Sequence, residues 1–146
     1  MKKRRIAYAI ITLALSALII FTSTRTGDDH NRAGGLIIGW INDVFFGGSL
    51  SSYERDAIVG VAAKFLGHFS LFLLDGLFGF LFLRTFGLSK KKEAILFLAY
   101  GFLLSCAGEF TQIWSAGRFA SFADVLIDFS GWTFTYLAYY LMKHPI

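Results

Sequence analysis

The chain has 146 residues, 55% of them hydrophobic and 16% charged, with one proline, one cysteine and a formal net charge of +4. A chain this apolar and this poor in charge is not typical of a soluble domain, so its composition predicts a small integral membrane protein. The lone cysteine, Cys106, excludes an intrachain disulfide and a multi-cysteine metal site.

Four apolar stretches follow one another along the chain. A helix needs about 20 residues to cross about 30 Å of hydrocarbon, and residues 6–21, 58–83, 94–114 and 123–142 form stretches near that length. We therefore predict an all-α fold, a polytopic membrane helix bundle with four transmembrane helices. The whole chain, residues 1–146, is predicted to form a single membrane domain.

The first stretch follows four basic residues, Lys2 to Arg5, and a basic start before an apolar run is also the usual form of a secretory signal. The apolar run is long for a signal, and no small-x-small cleavage site followed by polar sequence closes it. We predict an uncleaved membrane anchor, with a cleaved signal as the alternative.

The outer segment, residues 22–57, joins the first stretch to the second. Apolar side chains recur in it at helical spacing between two pairs of glycines, over too few residues to cross a bilayer. We predict a helix in the membrane interface, with Trp40 at the level of the lipid headgroups. A loosely membrane-associated loop is the alternative. The apolar residues are Leu36, Ile37, Trp40, Ile41, Val44 and Phe45.

Nine of the 14 lysines and arginines would share one side of a membrane that the chain crosses four times. Because cytoplasmic loops are enriched in these residues, the pattern predicts a multi-pass protein of the plasma membrane with both termini in the cytoplasm. The net charge is then an orientation signal and requires no nucleic-acid partner. The nine residues are Lys2, Lys3, Arg4, Arg5, Arg84, Lys90, Lys91, Lys92 and Lys143.

Ionisable side chains interrupt the last three stretches. Such a group in hydrocarbon costs roughly a few kcal/mol, so it persists where it meets another such group, water or a ligand. With α-helical geometry, Lys64, His68 and Asp75 project from one face of the second stretch. Glu109 and Gln112 share a face near the outer end of the third.

The remaining polar residues lie in the loop and helix that follow. Because this loop and the start of the fourth stretch are on the outer side, we predict a mixed-charge pocket that opens outward. The candidate catalytic residues are His68, Glu109 and Asp128. The candidate ligand-binding residues are Lys64, Gln112, Arg118, Ser121 and Asp124.

Several candidates also have a simpler explanation, although Asp128 has none and Glu109 is harder to dismiss. Lys64 could extend its amine to lipid phosphates, His68 could form a neutral hydrogen bond between helices, and Asp124 or Ser121 could cap the fourth helix. Asp75 is interpreted as structural. One histidine without H-E-x-x-H or cysteine spacing is a weak metal signal, so we predict no metal and no cofactor.

The candidate residues stand in the segments KFLGHF (64–69), GEFTQ (108–112), GRFAS (117–121) and DVLIDFSG (124–131). This ordered set resembles the VanZ-like family of small bacterial integral membrane proteins, over about the last three stretches. The resemblance implies a protein of the bacterial plasma membrane with several helices. It also implies a link, as in some members, to resistance against glycopeptide antibiotics, which act on the cell wall. It implies no particular reaction.

The chain also departs from the family pattern. Many relatives carry an acidic residue just before the glutamate and a histidine just before the glutamine, where this chain has Gly108 and Thr111. Some place a lysine three residues before the histidine rather than four, and a glycine often found four residues after Gly131 is Thr135 here. If the family's chemistry requires the missing acid or histidine, this chain binds without reacting.

Three classes of function are open. In the first, the pocket binds an anionic cell-envelope or lipid-linked molecule. If the protein is an enzyme, it also acts on that molecule. Arg118 and Lys64 would hold its phosphate or carboxylate, and the three candidate catalytic residues would orient it or move protons. In the second, the charged residues form an interhelical network in a non-catalytic structural or partner protein. The third, a small proton-coupled exporter, is least favoured because residues 6–21 contain no ionisable side chain. The lipid bilayer is a predicted partner in all three.

Overall fold

The computed structural model describes residues 2–25, 36, 39–40, 42–51, 53–54 and 64–143, and of residues 64–66 and 143 it describes the backbone alone. The described residues form helices and contain no strand, which confirms the predicted all-α class for this part of the chain. The long helices are α1 (Lys2–Ser23), α2 (Ser70–Arg84), α3 (Lys90–Gln112) and α4 (Phe122–Lys143), and a π-helical segment, Lys64–Phe69, leads directly into α2.

The first end of the bundle carries the basic residues, and we call it the basic end. Arg5, in the first turn of α1, donates a hydrogen bond of 2.7 Å to the carbonyl of Thr85, just after α2. Glu93, buried in the first turn of α3, accepts a hydrogen bond of 3.3 Å from the hydroxyl of Tyr140 near the end of α4. These contacts bring the start of α1 to the end of α2, and the start of α3 to the end of α4.

The opposite end joins the last turn of α1 to the loop between α3 and α4. The Ser115 hydroxyl donates a hydrogen bond of 3.3 Å to the carbonyl of Ser23, and the Arg118 guanidinium donates one of 3.3 Å to the carbonyl of Thr22. The candidate site residues lie at this end, because the π-helical segment, the end of α3 and the start of α4 all meet here. We call it the polar end.

Among the described residues, three helices are long and apolar enough to cross a membrane, as judged by length and composition: Lys2–Ser23, Gly67–Arg84 and Lys90–Gln112. They correspond to the predicted spans at residues 6–21, 58–83 and 94–114. Helix α4 has 22 residues but falls outside this group, because Asp124, Asp128 and several hydroxyl-bearing side chains lower its hydropathy. The predicted count of four spans stays a prediction.

The second predicted span does not follow α-helical geometry throughout. It would begin at residues 58–63, which lie outside the described residues, and its described part opens with the π-helical segment, whose hydrogen bonds run from i to i+5. His68 faces Asp128 of α4, at 3.0 Å, whereas Asp75 accepts a hydrogen bond of 2.8 Å from Ser16 of α1. The two side chains thus contact different helices, and the prediction that they share one face, which assumed an uninterrupted α-helix, stays a prediction.

Trp132, in the middle of α4, occupies the centre of the core. Its side chain is 1% exposed, its indole Nε1 donates a hydrogen bond of 2.8 Å to the Phe97 carbonyl, and its ring stacks on that of Phe97 with 4.8 Å between centroids. Glycines on the neighbouring helices make room for it. A Cβ on Gly79 would lie 2.8 Å from the indole, and one on Gly101 would overlap with it.

We expect Gly101→Ala to lower the free energy of unfolding, because the added methyl group has no space beside the Trp132 indole. Overpacking a core costs about 1–3 kcal/mol, which exceeds the gain of about 1 kcal/mol from replacing glycine by alanine in a helix. Thermal unfolding of the purified protein in detergent measures the effect. Gly67→Ala is the control, since a Cβ at Gly67 meets nothing within 4 Å; equal melting temperatures for the two variants would contradict the packing argument.

Parts of the outer segment are described. Residues 42–46 are helical, and Asn42 is buried and accepts a hydrogen bond of 3.3 Å from the backbone N–H of Leu50. The hydroxyl of Ser51 donates a hydrogen bond of 2.6 Å to Glu54, and its backbone N–H donates one of 3.1 Å; these two bonds lower the pKa of Glu54. Ile37 and Ile41 lie outside the described residues, and the interfacial helix stays a prediction.

Candidate functional site

His68 and Asp128 form a hydrogen-bonded pair between the π-helical segment and α4. Nδ1 of His68 lies 3.0 Å from Oδ1 of Asp128, and the two side chains are 17% and 3% exposed. With Asp128 ionised, this bond makes Nδ1 the protonated ring nitrogen, and Nε2 is then the nitrogen that takes up and releases a proton. Asp128 therefore fixes the orientation of His68 and, when ionised, also its tautomer.

Glu109 lies in the last turn of α3 and is 3% exposed. Its Oε1 accepts a hydrogen bond from the side-chain amide of Gln112, and its Oε2 accepts one of 2.8 Å from the backbone N–H of Ser121. The spacing of three residues predicts the contact with Gln112, but the contact with Ser121 depends on the path of the intervening loop. Glu109 thus has a donor on each carboxyl oxygen and connects the end of α3 to the start of α4.

Ser121 caps the N-terminus of α4. Its hydroxyl accepts a hydrogen bond of 3.4 Å from the backbone N–H of Asp124, and its carbonyl accepts one of 3.0 Å from the same group. Serine is a preferred residue at this position, so of the two predicted caps the structure uses Ser121. Asp124 is 9% exposed and lies in the first turn of α4, where a carboxylate is favoured by the helix dipole.

Three ionisable groups meet at the polar end, and we call them the polar cluster: His68, Glu109 and Asp128. One nitrogen or carboxyl oxygen from each lies within 4.8 Å of the other two. A single cation could fit that separation, but it would compete with the hydrogen bonds that already engage Glu109 and Asp128. The arrangement therefore suits hydrogen bonding and proton transfer better than metal binding, and the expectation of no metal stays a prediction.

Arg118 lies at the same end as the polar cluster, in the loop between α3 and α4. It is partly exposed, and its Nη1 donates to the carbonyl of Thr22 at the end of α1. The backbone of Lys64 begins the π-helical segment, but its side chain lies outside the described residues. Ligand-binding roles for Arg118 and Lys64 therefore stay predictions.

Gly131 allows α4 to approach the π-helical segment closely. A Cβ on Gly131 would overlap with the carbonyl oxygen of Phe69 and would lie 3.0 Å from its carbonyl carbon. Phe69 follows His68 directly, and Gly131 lies one turn after Asp128. The missing side chain at Gly131 therefore permits the distance at which His68 and Asp128 form their hydrogen bond. Nothing in the local sequence assigns Gly131 this role, because the close contact arises only in the folded bundle.

A second buried polar cluster lies farther from the polar end. Asp75 is fully buried and accepts a hydrogen bond of 2.8 Å from the Ser16 hydroxyl, which is itself 3.0 Å from the hydroxyl of Tyr100. From the sequence alone, Asp75 is interpreted as structural, and the first span has no predicted polar role. The signal that could have identified the cluster is the pair Thr12 and Ser16, which share one face of α1.

The sequence of the chain is similar to that of a known protein family. A family model described as VanZ/LLP1 matches residues 6–143, nearly the whole chain. The match confirms the resemblance seen in the last three stretches and extends it to α1. No curated protein and no solved structure gives a match.

Proposed function

The chain belongs to the VanZ/LLP1 family, and from this premise we propose that it is a multi-pass membrane protein whose polar cluster binds an anionic cell-envelope or lipid-linked molecule. The observation that carries the proposal is the convergence of His68, Glu109 and Asp128, with one polar atom of each within 4.8 Å of the others. Whether the bound molecule also reacts is a separate question, which incubation of the purified protein with a radiolabelled wall precursor answers.

The free-energy cost of burying the polar cluster supports the proposal that the cluster has a function. Ionisable groups inside a membrane bundle are expensive to bury, and buried ion pairs contribute little net stability compared with apolar side chains of similar volume. Glu109 and Asp128 are 3% and 2% exposed, so both would pay this cost in full. A ligand that uses these groups accounts for their presence better than stability does.

The chemistry available to the cluster is proton transfer. Asp128 holds His68 by Nδ1 at 3.0 Å, so that Nε2 is the nitrogen that takes a proton from a ligand hydroxyl or returns one to a leaving oxygen. Glu109, fixed by Gln112 and by the backbone of Ser121, supplies a second carboxyl group in a defined position. This is the arrangement expected for a general acid or base, and it serves equally to orient a ligand.

Binding of an anion requires positive charge close to these carboxyl groups. Arg118 lies at the polar end, and a guanidinium recognises phosphate through two parallel hydrogen bonds. Lys64 begins the π-helical segment that carries His68, and we assign its amine to the same anion. A protonated His68 would be a third cation. The proposed ligand is therefore held by cations at the rim of a carboxyl-containing pocket.

The proposed topology has four spans, with α4 as the fourth, in the plasma membrane of a bacterium. Exposed basic side chains of α1, α2 and α3 gather at the basic end, and this supports the proposal that both termini lie in the cytoplasm, as the positive-inside rule predicts. The polar end then faces the outer side, where cell-wall precursors are used. A role in resistance to glycopeptide antibiotics follows as part of the proposal.

The proposal is tested in a glycopeptide-sensitive bacterium that expresses the chain. We expect Glu109→Gln, Asp128→Asn and Arg118→Ala each to abolish the change in antibiotic sensitivity that the unmodified chain confers. Each change removes one charge of the proposed site. Glu109→Gln and Asp128→Asn do so with little change in the shape of the side chain. The quantity measured is the minimal inhibitory concentration, together with the amount of protein in the membrane fraction.

The matched control is Asp43→Asn, which removes an exposed carboxylate far from the polar cluster in sequence. It should leave both antibiotic sensitivity and membrane abundance unchanged. If the three site variants lose abundance in parallel with activity, the cluster holds the fold together and the binding proposal fails.

The second candidate function is that of a non-catalytic structural or partner protein. One observation favours it: Glu109 accepts the backbone N–H of Ser121 at 2.8 Å, and this bond joins α3 to α4 whether or not a ligand binds. In that case the charged residues form an interhelical network, and the abundance measurement above distinguishes it from a binding site.

A further inference from the structure

A groove of about 540 Å³ lies on the side of the bundle formed by α1 and α3, away from the polar cluster. Its walls are largely apolar and come from all four long helices. Small residues open the space, and the aromatic rings of Tyr100 and Trp132 form part of its surface. The volume is within the range of about 300–1,000 Å³ that is usual for small-molecule sites. The residues that carry the argument are Thr12, Ala99, Tyr100 and Trp132.

Among the described residues, two buried oxygens in this region have no hydrogen-bond partner: Oγ1 of Thr12 and Oδ1 of Asp75. Thr12 lines the groove and is 7% exposed, whereas Asp75 is fully buried and lies behind the wall. Asp75 is connected to the wall through Ser16, whose hydroxyl lies 2.8 Å from Asp75 and 3.0 Å from the hydroxyl of Tyr100. The free oxygen of Asp75 is the group to which a cation in the groove would be attracted.

The carboxyl group of Asp75 lacks a counter-charge. Within the described part of the chain, its hydrogen bond comes from the neutral hydroxyl of Ser16, and no lysine, arginine or histidine forms an ion pair with it. A charge in such a position is costly unless an opposite charge accompanies it. The one cation of the polar cluster, a protonated His68, is bonded to Asp128 and not to Asp75.

We propose that the groove is a binding site for a lipophilic cation that enters from the membrane. Its hydrocarbon or aryl groups would fill the apolar space, and its charge would lie near Thr12 and Tyr100 in the wall. The carboxylate of Asp75, which lies behind the wall and is bonded to Ser16, would attract that charge from a short distance, and the rings of Tyr100 and Trp132 would contribute cation–π attraction. This inference is independent of the proposed function, since it concerns a cation in a different part of the bundle.

The test uses radiolabelled tetraphenylphosphonium and the purified full chain in lipid nanodiscs. We expect saturable binding, and a dissociation constant at least tenfold higher for Asp75→Asn, because the amide has the shape of the acid without its charge. Asp43→Asn removes an exposed acid outside the groove and should bind the probe as the unmodified protein does. Triphenylphosphine, which is uncharged, should bind at least tenfold more weakly than the cation.

A second variant keeps the test decisive if Asp75→Asn does not fold. Ala99→Phe fills the groove and leaves the carboxyl group in place, because Ala99 lines the groove and is exposed. It should also weaken binding of the phosphonium at least tenfold. The proposal is overturned if folded Asp75→Asn or Ala99→Phe binds the cation as tightly as the unmodified protein, or if triphenylphosphine binds as tightly as the cation.

Discussion

Gly131→Ala is expected to destabilise the protein by about 1–3 kcal/mol and to remove the function of the polar cluster. The new Cβ would overlap with the carbonyl oxygen of Phe69 and lie 3.1 Å from its Cα. The obstacle is backbone, which cannot turn aside as a side chain can, so α4 and the π-helical segment must separate. The cost of overpacking exceeds the gain in helix propensity of about 1 kcal/mol.

Separation of the two segments would lengthen the bond between His68 and Asp128, which is 3.0 Å long in the unmodified protein. The direct readout is the reactivity of His68 towards diethylpyrocarbonate, in a background where His30 and His144 are glutamine. We expect faster modification in Gly131→Ala, because the imidazole loses the partner that holds it. Melting temperatures are measured on the same samples.

Gly67→Ala is the matched control, since it adds the same methyl group to the π-helical segment at a position where a Cβ meets nothing within 4 Å. It should leave the melting temperature and the reactivity of His68 close to those of the unmodified protein. If Gly131→Ala behaves in the same way as this control, the close approach at Gly131 does not position the cluster.

Glu109→Ala is expected to cost about 1–4 kcal/mol in the free energy of unfolding. It leaves two donors without their acceptor, the amide of the buried Gln112 and the backbone N–H of the half-buried Ser121. An unsatisfied buried group costs about 1–3 kcal/mol, and the half-buried N–H adds less. The better helix propensity of alanine offsets less than 1 kcal/mol of this loss. Chemical denaturation in mild detergent measures the difference.

Glu109→Gln separates the two properties of this residue. Glutamine keeps one carbonyl oxygen for the N–H of Ser121 but loses the carboxylate, so we expect a smaller loss of stability than in Glu109→Ala. Hydrogen exchange at the amide of Ser121 should be faster in the alanine variant and near normal in the glutamine variant. Equal stability for the two variants would show that the bond to Ser121 contributes nothing to the fold.

Apolar length and local spacing predicted the elements that lie within a single helix. Residues 94–114 and 123–142 correspond to α3, Lys90–Gln112, and α4, Phe122–Lys143. The pairing of Glu109 with Gln112 also follows from a spacing of three residues on one helix. Serine capping of α4 follows from the chemistry of Ser121 alone.

Contacts between elements could not be predicted in the same way. Apart from Lys64, His68 and Asp75, the second stretch is largely apolar around the helix, so its sequence shows neither the π-helical segment nor the helix that Asp75 contacts. The bond between Glu109 and Ser121 depends on the conformation of the loop that precedes α4. The role of Gly131 depends on how closely two segments approach, and a sequence shows a glycine without showing what it faces.

The most direct test of the polar cluster as a ligand site is incubation of the purified protein, in nanodiscs, with a radiolabelled polyprenyl-diphosphate-linked wall precursor. We predict saturable retention of the precursor by the unmodified protein and its loss in Glu109→Gln and Asp128→Asn. Conversion of the precursor to a new product by the unmodified protein alone would identify the chain as an enzyme. The account would be contradicted if the unmodified protein neither retained nor converted the precursor. It would also be contradicted if the two variants retained the precursor as well as the unmodified protein does.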